Sequence, residues 1–348
     1  MRNLVIVESP AKAKTIEGYL GDSFDVIASY GHVRDIVNKP GSVSPNNWSD
    51  IKWAINERGK TQLNQISSLA QNSDRLILAT DPDREGEAIA WHICEVLKRE
   101  GVLDSLEVYR AVFNSITKKA VTESLDNLRE INNEKVQSYL ARRVLDYVVG
   151  FEISPLLWRR LPGAKSAGRV QSVALKLICE REDDRESFVK KEYWSIRSNL
   201  NWKGQNLKSQ LSEYKGERLK KFDITNEEEA KEIVLDIQGR KLHVAEINKK
   251  PQKRNPKPPF ITSTLQQEAA RKLKFSADNT MRLAQSLYEK ALITYMRTDS
   301  PIIDPEGVQL IREVIVEKYG NNFLPQELRV YKSKSKQAQE GHEAIRPT

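Results

Sequence analysis

Cysteine is scarce: two residues in 348, Cys94 and Cys179. There is no C-x-x-C pair and no Cys/His cluster, so the chain offers no structural zinc site. Both thiols fall in helical patterns and read as reduced, buried cysteines of a cytosolic protein. No apolar run approaches the roughly 18 residues a membrane span requires. The first such run, Leu4 to Val7, is cut short by Glu8, which excludes a signal-peptide core. Nucleotide fingerprints are missing as well. Gly59-Lys60-Thr61 resembles the tail of a phosphate-binding P-loop, but the required first glycine falls on Ala54 and no strand precedes it. No G-x-G-x-x-G follows a strand, and no internal repeat is present. Neither ATP nor a membrane is therefore expected as a partner.

What the chain does have is charge. Residues are 39% hydrophobic and 30% charged, net charge is +8 and the isoelectric point is about 9.2. That balance favours a polyanionic partner. The length suits two to four domains. Residues 1–120 alternate strand and helix, with strands expected at Leu4–Val7, Phe24–Ala28, Arg75–Thr80 and Val108–Phe113, and an irregular insertion at about 36–62. Such alternation argues for a mostly parallel sheet covered on both faces. Residues 121–190 read as helical, with a basic loop at Pro155–Gln171 carrying Trp158. Residues 191–256 read as β-rich, with a strand at Leu242–Ile247, a short helix opened by a capping box of Thr225 and Glu228, and a basic, proline-rich linker at 249–259. Residues 257–348 read as helical again, the last helical pattern running up to Tyr295.

Five constellations carry chemistry. Ala291-Leu-Ile-Thr-Tyr-Met-Arg-Thr-Asp-Ser300 places Arg297 two positions after Tyr295. A phenol with a guanidinium beside it is a nucleophile with its own phosphate clamp. Glu8 ends one expected strand, and Asp81, Asp83 and Glu85 follow another. Ligand sites in open α/β sheets gather at the carboxyl ends of strands, and hard oxygen donors there suit Mg2+ that keeps its waters and contacts phosphate. Lys12 and Lys14 stand just past Glu8, within reach of such a phosphate. Arg142, Arg143, Trp158, Arg159, Arg160, Lys165, Arg169 and Gln171 form a basic and aromatic surface that would position a nucleic acid without reading its sequence. His342 beside Arg346, and His32 after Gly31, are candidates for phosphate contact or proton transfer.

Six long segments resemble the type IA DNA topoisomerases of the bacterial topoisomerase I group: Val5-Ile-Val-Glu-Ser-Pro-Ala-Lys-Ala-Lys-Thr-Ile16, Ala79-Thr-Asp-Pro-Asp-Arg-Glu-Gly-Glu-Ala-Ile-Ala-Trp-His92, Ser166-Ala-Gly-Arg-Val-Gln-Ser172, Pro259-Phe-Ile-Thr-Ser-Thr-Leu-Gln-Gln267, Ile293-Thr-Tyr-Met-Arg-Thr-Asp-Ser300 and His342-Glu-Ala-Ile-Arg-Pro-Thr348. They occur in the family's order across the whole chain. The resemblance implies an α/β plus α architecture: a Rossmann-like Toprim domain at 1–120, a helical DNA-binding domain at 121–190, a partial β-rich arch at 191–256 and a helical tyrosine domain at 257–348. It implies that Tyr295 attacks a single-strand phosphodiester to give a 5′-phosphotyrosyl link and a free 3′-hydroxyl. Another strand then passes, and the link reverses without ATP, relaxing negative supercoils. Glu8 matches the proton donor to the leaving oxygen, Lys12 and Arg297 match groups that stabilise phosphate charge, and His342 matches a histidine beside the phosphate. Asp81, Asp83 and Glu85, with Glu8 beside them, match the Mg2+ site. His32, Arg142, Arg143, Asp146, Phe151, Trp158, Ser166, Ala167, Gly168, Arg169, Val170 and Gln171 match DNA contacts, with Arg297. A monomer in the cytoplasm, associated with the nucleoid, is implied. The family's chains continue well beyond the His342–Pro347 motif, so the expectation is a truncated chain with an incomplete toroid that binds single-stranded DNA but relaxes supercoils poorly or not at all. Still open are a topoisomerase III-like decatenase, a catalytically silent DNA-binding protein on a Toprim scaffold, and a Toprim primase or nuclease.

Overall fold

A computed structural model describes residues 2–44, 46–331 and 343–348. The chain divides into two compact units, one of Met1–Arg169 with Pro256–Thr348, the other of Val170–Asn255.

The first unit is built on a parallel sheet. β1 (Asn3–Val7), α1 (Pro10–Glu17), β2 (Phe24–Ala28), β3 (Arg34–Ile36), β4 (Trp53–Ile55), α2 (Glu57–Ala70), β5 (Arg75–Leu78), α3 (Arg84–Arg99), β6 (Glu107–Arg110) and α4 (Lys118–Asp126) follow in order. The sheet runs β2-β1-β5-β6 with every pairing parallel, and Val5 lies opposite both Val26 and Ile77. Side chains alternate across a strand, so β1 serves two cores. Leu4 and Ile6 join Leu76, Leu78, Leu63, Ile66, Ile89 and Ile93 on the face covered by α2 and α3. Val5 and Val7 join Ile77, Ala111, Ile16 and Val121 on the other. That second core also holds Ala284, Tyr288, Tyr295, Met296 and Ile345 from the last hundred residues. Burial on both faces explains why β1 is an unbroken apolar run.

α5 (Asn133–Val148) is followed by a π-helical turn at Val149–Ile153 and by α6 (Ser154–Arg160). The basic loop expected from Pro155 onward therefore begins as helix, and the irregular stretch is confined to 161–168 before α7 (Arg169–Glu186). The insertion expected at about 36–62 is partly regular. β3 and β4 pair antiparallel, and α2 starts at Glu57 where Asn56 caps the Gly59 N–H at 2.6 Å. Gly59, Lys60 and Thr61 lie in the opening turns of that helix.

In the second unit, β7 (Arg197–Trp202) and β8 (Gln205–Gln210) form an antiparallel pair. β9 (Glu213–Tyr214) and β10 (Glu217–Arg218) form a short one ahead of α8 (Glu227–Ile237). The expected capping box is shifted by one residue. Asn226 is the N-cap, accepting the Glu229 N–H at 2.8 Å, and the Glu229 carboxylate accepts the Thr225 N–H at 3.0 Å. No strand forms at Leu242–Ile247. With no neighbouring strand to pair with, Leu242, Val244 and Ile247 remain exposed in irregular backbone.

The chain returns to the first unit through α9 (Thr262–Leu273), α10 (Ala277–Glu289) and α11 (Pro305–Tyr319). α10 stops six positions before Tyr295, at a turn where Ala291 takes φ +57°. Tyr295 thus stands on an extended, irregular segment, correcting the expectation of a helix end.

Candidate active site

Glu8 follows β1 and Asp81 follows β5, and these strands are neighbours, so both carboxylates emerge at the same sheet end. Glu8 Oε1 accepts the Asp81 N–H at 2.9 Å. Asp83 is the N-cap of α3, its Oδ1 accepting the Gly86 N–H at 2.9 Å. The acid is therefore held by the cap geometry that satisfies the helix's orphan donors. Gly86 has no alternative, since a Cβ there would sit 2.2 Å from the Asp81 carbonyl oxygen. From α1, Lys12 sends Nζ to Asp81 Oδ1 at 3.1 Å, both side chains almost fully buried.

A second layer supports this corner. Arg110, 0% exposed, donates to the Leu78 carbonyl at 2.8 Å and the Asp81 carbonyl at 2.6 Å, and its Nε pairs with Glu87 at 3.2 Å. Glu87 also receives Arg129 at 2.9 Å and the Asn132 N–H at 2.6 Å. A buried pair is tolerated when its remaining donors and acceptors are met in this way. Sequence reasoning missed it, although both residues lie in or beside segments it had marked.

Tyr295 closes the site. Its hydroxyl donates to Asp83 Oδ2 at 2.7 Å, and Arg297 Nη1 stands 3.4 Å from the same oxygen. Its backbone N–H donates to the Asn114 carbonyl at 2.8 Å. The C-terminal strip braces the segment from the other side. Thr294 N–H donates to the Arg346 carbonyl at 2.9 Å, and Thr294 Oγ1 to the Ala344 carbonyl at 2.7 Å. The phenol ring meets Tyr288 edge to face at 5.2 Å between centroids. Tyr295 is 1% exposed. Burial, reinforced by Asp81 and Asp83, holds its hydroxyl well above the ordinary phenol range. Burial and the charge of Asp81 push Glu8 up to about 8 against the pull of Lys12, so Glu8 carries a proton at neutral pH.

Not every expected residue joins this centre. Glu85 turns away and faces His32 Nε2 at 3.3 Å, while His32 stacks on Tyr139 with centroids 5.2 Å apart. The reason is the helix: once Asp83 caps α3, Glu85 lies in the first turn and no longer follows the strand-like alternation of Asp81 and Asp83. Lys14 is exposed on α1. His342 lies outside the described residues. Among the described residues, no group of three or more His, Cys, Asp or Glu is placed to hold a metal ion. What fits Mg2+ is the donor chemistry. Asp81 Oδ2 is buried without a hydrogen-bond partner and lies beside the other carboxylates, and Mg2+ commonly takes only one or two carboxylates.

The aromatic and basic surface forms a cleft of about 670 Å3 lined by Arg143, Asp146, Tyr147, Phe151, Trp158, Ser166 and Ala167 among others. Two arginines of this surface are already engaged. Arg143 pairs with Asp35 at 2.8 Å and Arg169 with Asp146 at 2.8 Å. Trp158 Nε1 donates to the Lys165 carbonyl at 2.6 Å, and Ser154 Oγ accepts the Ala167 N–H at 3.0 Å. A smaller cavity of about 280 Å3 beside it is lined by His32, Glu85, Tyr139 and Arg142. Val170 and Gln171 belong to the second unit.

The profile of the DNA topoisomerase family matches residues 130–348, and that of the Toprim domain matches residues 3–116. The chain belongs to the DNA topoisomerase family. It is 53% identical to DNA topoisomerase 1 of Rickettsia bellii over 99% of this chain and 44% of that protein. To the Zymomonas mobilis DNA topoisomerase 1 it is 51% identical over 99% of this chain and 28% of that protein. The structure of full-length topoisomerase I from Thermotoga maritima superposes with a TM-score of 0.77 at 38% identity, over 99% of this chain and 55% of that one. The chain thus spans less than half the length of the Rickettsia bellii and Zymomonas mobilis proteins. No helix among the described residues is long and apolar enough to cross a membrane.

Proposed function

We propose that this chain carries the DNA cleavage and rejoining centre of a type IA topoisomerase, acting on single-stranded segments of negatively supercoiled DNA in the cytoplasm, at the nucleoid, without ATP. The observation that supports it most is the hydrogen bond from Tyr295 to Asp83, which brings a phenol from late in the chain onto the carboxylates after β1 and β5.

In this reading Tyr295 Oη attacks the scissile phosphorus and passes its proton to Asp83, the acceptor it already contacts. The bond from phosphorus to the 3′-oxygen breaks, and Glu8, protonated at neutral pH, supplies the proton to the departing oxygen. Lys12 and Arg297 meet the developing negative charge, where donors fixed in advance act most strongly. Reversal of the same steps rejoins the strand, so bond energy is conserved. Mg2+, held by Asp81, whose Oδ2 is buried and unpartnered, would add positive charge beside the phosphate. The cleft of Arg143, Asp146, Phe151, Trp158 and Ala167, with His32 and Arg142 next to it, would hold the strand's bases and backbone. Its paired arginines would exchange Asp35 and Asp146 for phosphates. Strand passage by a monomer is proposed for the protein as a whole. The two buried tyrosines and the proton-bearing Glu8 favour cleavage by adduct over a nuclease, which needs no phenol.

The deciding experiment is denaturant trapping with end-labelled single-stranded oligonucleotides. The expected product is protein linked to the DNA piece downstream of the cut, absent in Tyr295→Phe. Metal-dependent cutting without an adduct, or an adduct that survives Tyr295→Phe, would overturn the reading.

A further inference from the structure

Tyr288 is completely buried, and its hydroxyl has no hydrogen-bond partner. An unpaired buried hydroxyl is costly, and it persists where something other than the resting fold uses it. The surroundings identify that use. The Tyr288 ring packs edge to face on Tyr295 and lies 6.0 Å from Lys12 Nζ. Lys12 in turn holds Asp81. The ring is thus set among side chains of the candidate site, and Asp81, Glu8 and Asp83 lie close enough to act on the charge of its hydroxyl. Another unpaired buried group here, Asp81 Oδ2, is an acceptor and suits a cation. Tyr288 offers a donor, which suits an anionic oxygen.

We infer that Tyr288 is a further catalytic residue, its hydroxyl donating to a non-bridging oxygen of the scissile phosphate alongside Lys12. The inference rests on the cleavage reading above and deepens it. It makes no new bond: the hydroxyl donates in the transition state and keeps its proton. The ring has a separate, structural part as a wall behind Tyr295, and Tyr288→Phe preserves that part while removing the donor.

Two readouts on the full chain decide it. With saturating labelled single-stranded DNA, adduct formation by Tyr288→Phe should slow about 100-fold, the loss usual for one such donor, while DNA affinity changes less than about twofold. Because the hydroxyl is unpaired in the resting fold, the same variant should melt no lower than the native chain. A rate within about twofold of native would overturn the inference while leaving Tyr295 in place. A melting point several degrees lower would mean that the hydroxyl serves the fold, and would also overturn it. A native chain that forms no adduct, or a Tyr295→Phe chain whose adduct depends on Tyr288, would overturn both readings together.

Discussion

A carboxylic acid that keeps its proton near neutrality changes both stability and rate with pH, and Glu8 is such a group. Burial and Asp81 hold it up to about 8, against about 4.5 in the unfolded chain. Between those values the folded protein retains a proton that the unfolded chain releases. Folding is therefore most favoured at the acidic end and loses stability as pH rises, with a slope approaching about 1.4 kcal/mol per pH unit. Glu343, pushed up to about 7 by burial and its contact with Asp304, acts with the same sign. Denaturant unfolding from about pH 5 to 8 measures this, and Glu8→Gln, which imitates the protonated acid, should flatten the upper part. Adduct formation should fall above about pH 8 as the proton donor is lost. Tyr295, Arg297, Glu8, Lys12, Asp81 and Asp83 were legible because each sits in a long motif. Tyr288 was not. On α10 it shares the buried stripe of Thr280 and Ala284 and looks like ordinary core. The signal available was a phenol on such a stripe, whose polar tip requires a partner.

Elements converge at the start of α3, and two substitutions probe that junction. Gly86→Ala would drive a methyl group into the Asp81 backbone. Backbone cannot yield as a flexible side chain can, so a loss of about 3 kcal/mol is expected, measured by denaturant unfolding, with the displaced Asp83 also weakening adduct formation. Glu87→Gln tests the support beneath. It strands the fully buried Arg110 guanidinium without its counter-charge, which should cost about 3–5 kcal/mol. A loss below about 1 kcal/mol would show that Arg129 and the carbonyls around Arg110 suffice. Periodicity revealed that α3 exists, and the run after β5 revealed its acids. Where the helix begins determines which acids face the site, and that was hidden: the Asp83 cap turns Glu85 toward His32. The same competition between local patterns moved the cap of α8 from Thr225 to Asn226 and left Leu242–Ile247 without a pairing partner.

At the scale of the whole molecule, net charge of +8 predicts binding of single-stranded DNA that weakens steeply with salt. If about four phosphates are neutralised, the slope of log affinity against log salt should be about −3, measured by anisotropy titration. Arg142→Ala should reduce that slope by somewhat less than one. A slope near zero would mean that the arginines keep Asp35 and Asp146 as partners and do not engage phosphate. By itself the sequence determined the family and the parallel sheet, and it singled out the candidate groups of the site, because short motifs and strand periodicity are local properties. Only the tertiary structure decided that Tyr295 lies on Asp83, that Arg110 and Glu87 hold the corner beneath it, and that Tyr288 stands beside it with a free donor. Those facts depend on residues 23 positions apart for Arg110 and Glu87 and 212 apart for Tyr295 and Asp83, and no local pattern records which distant side chains meet.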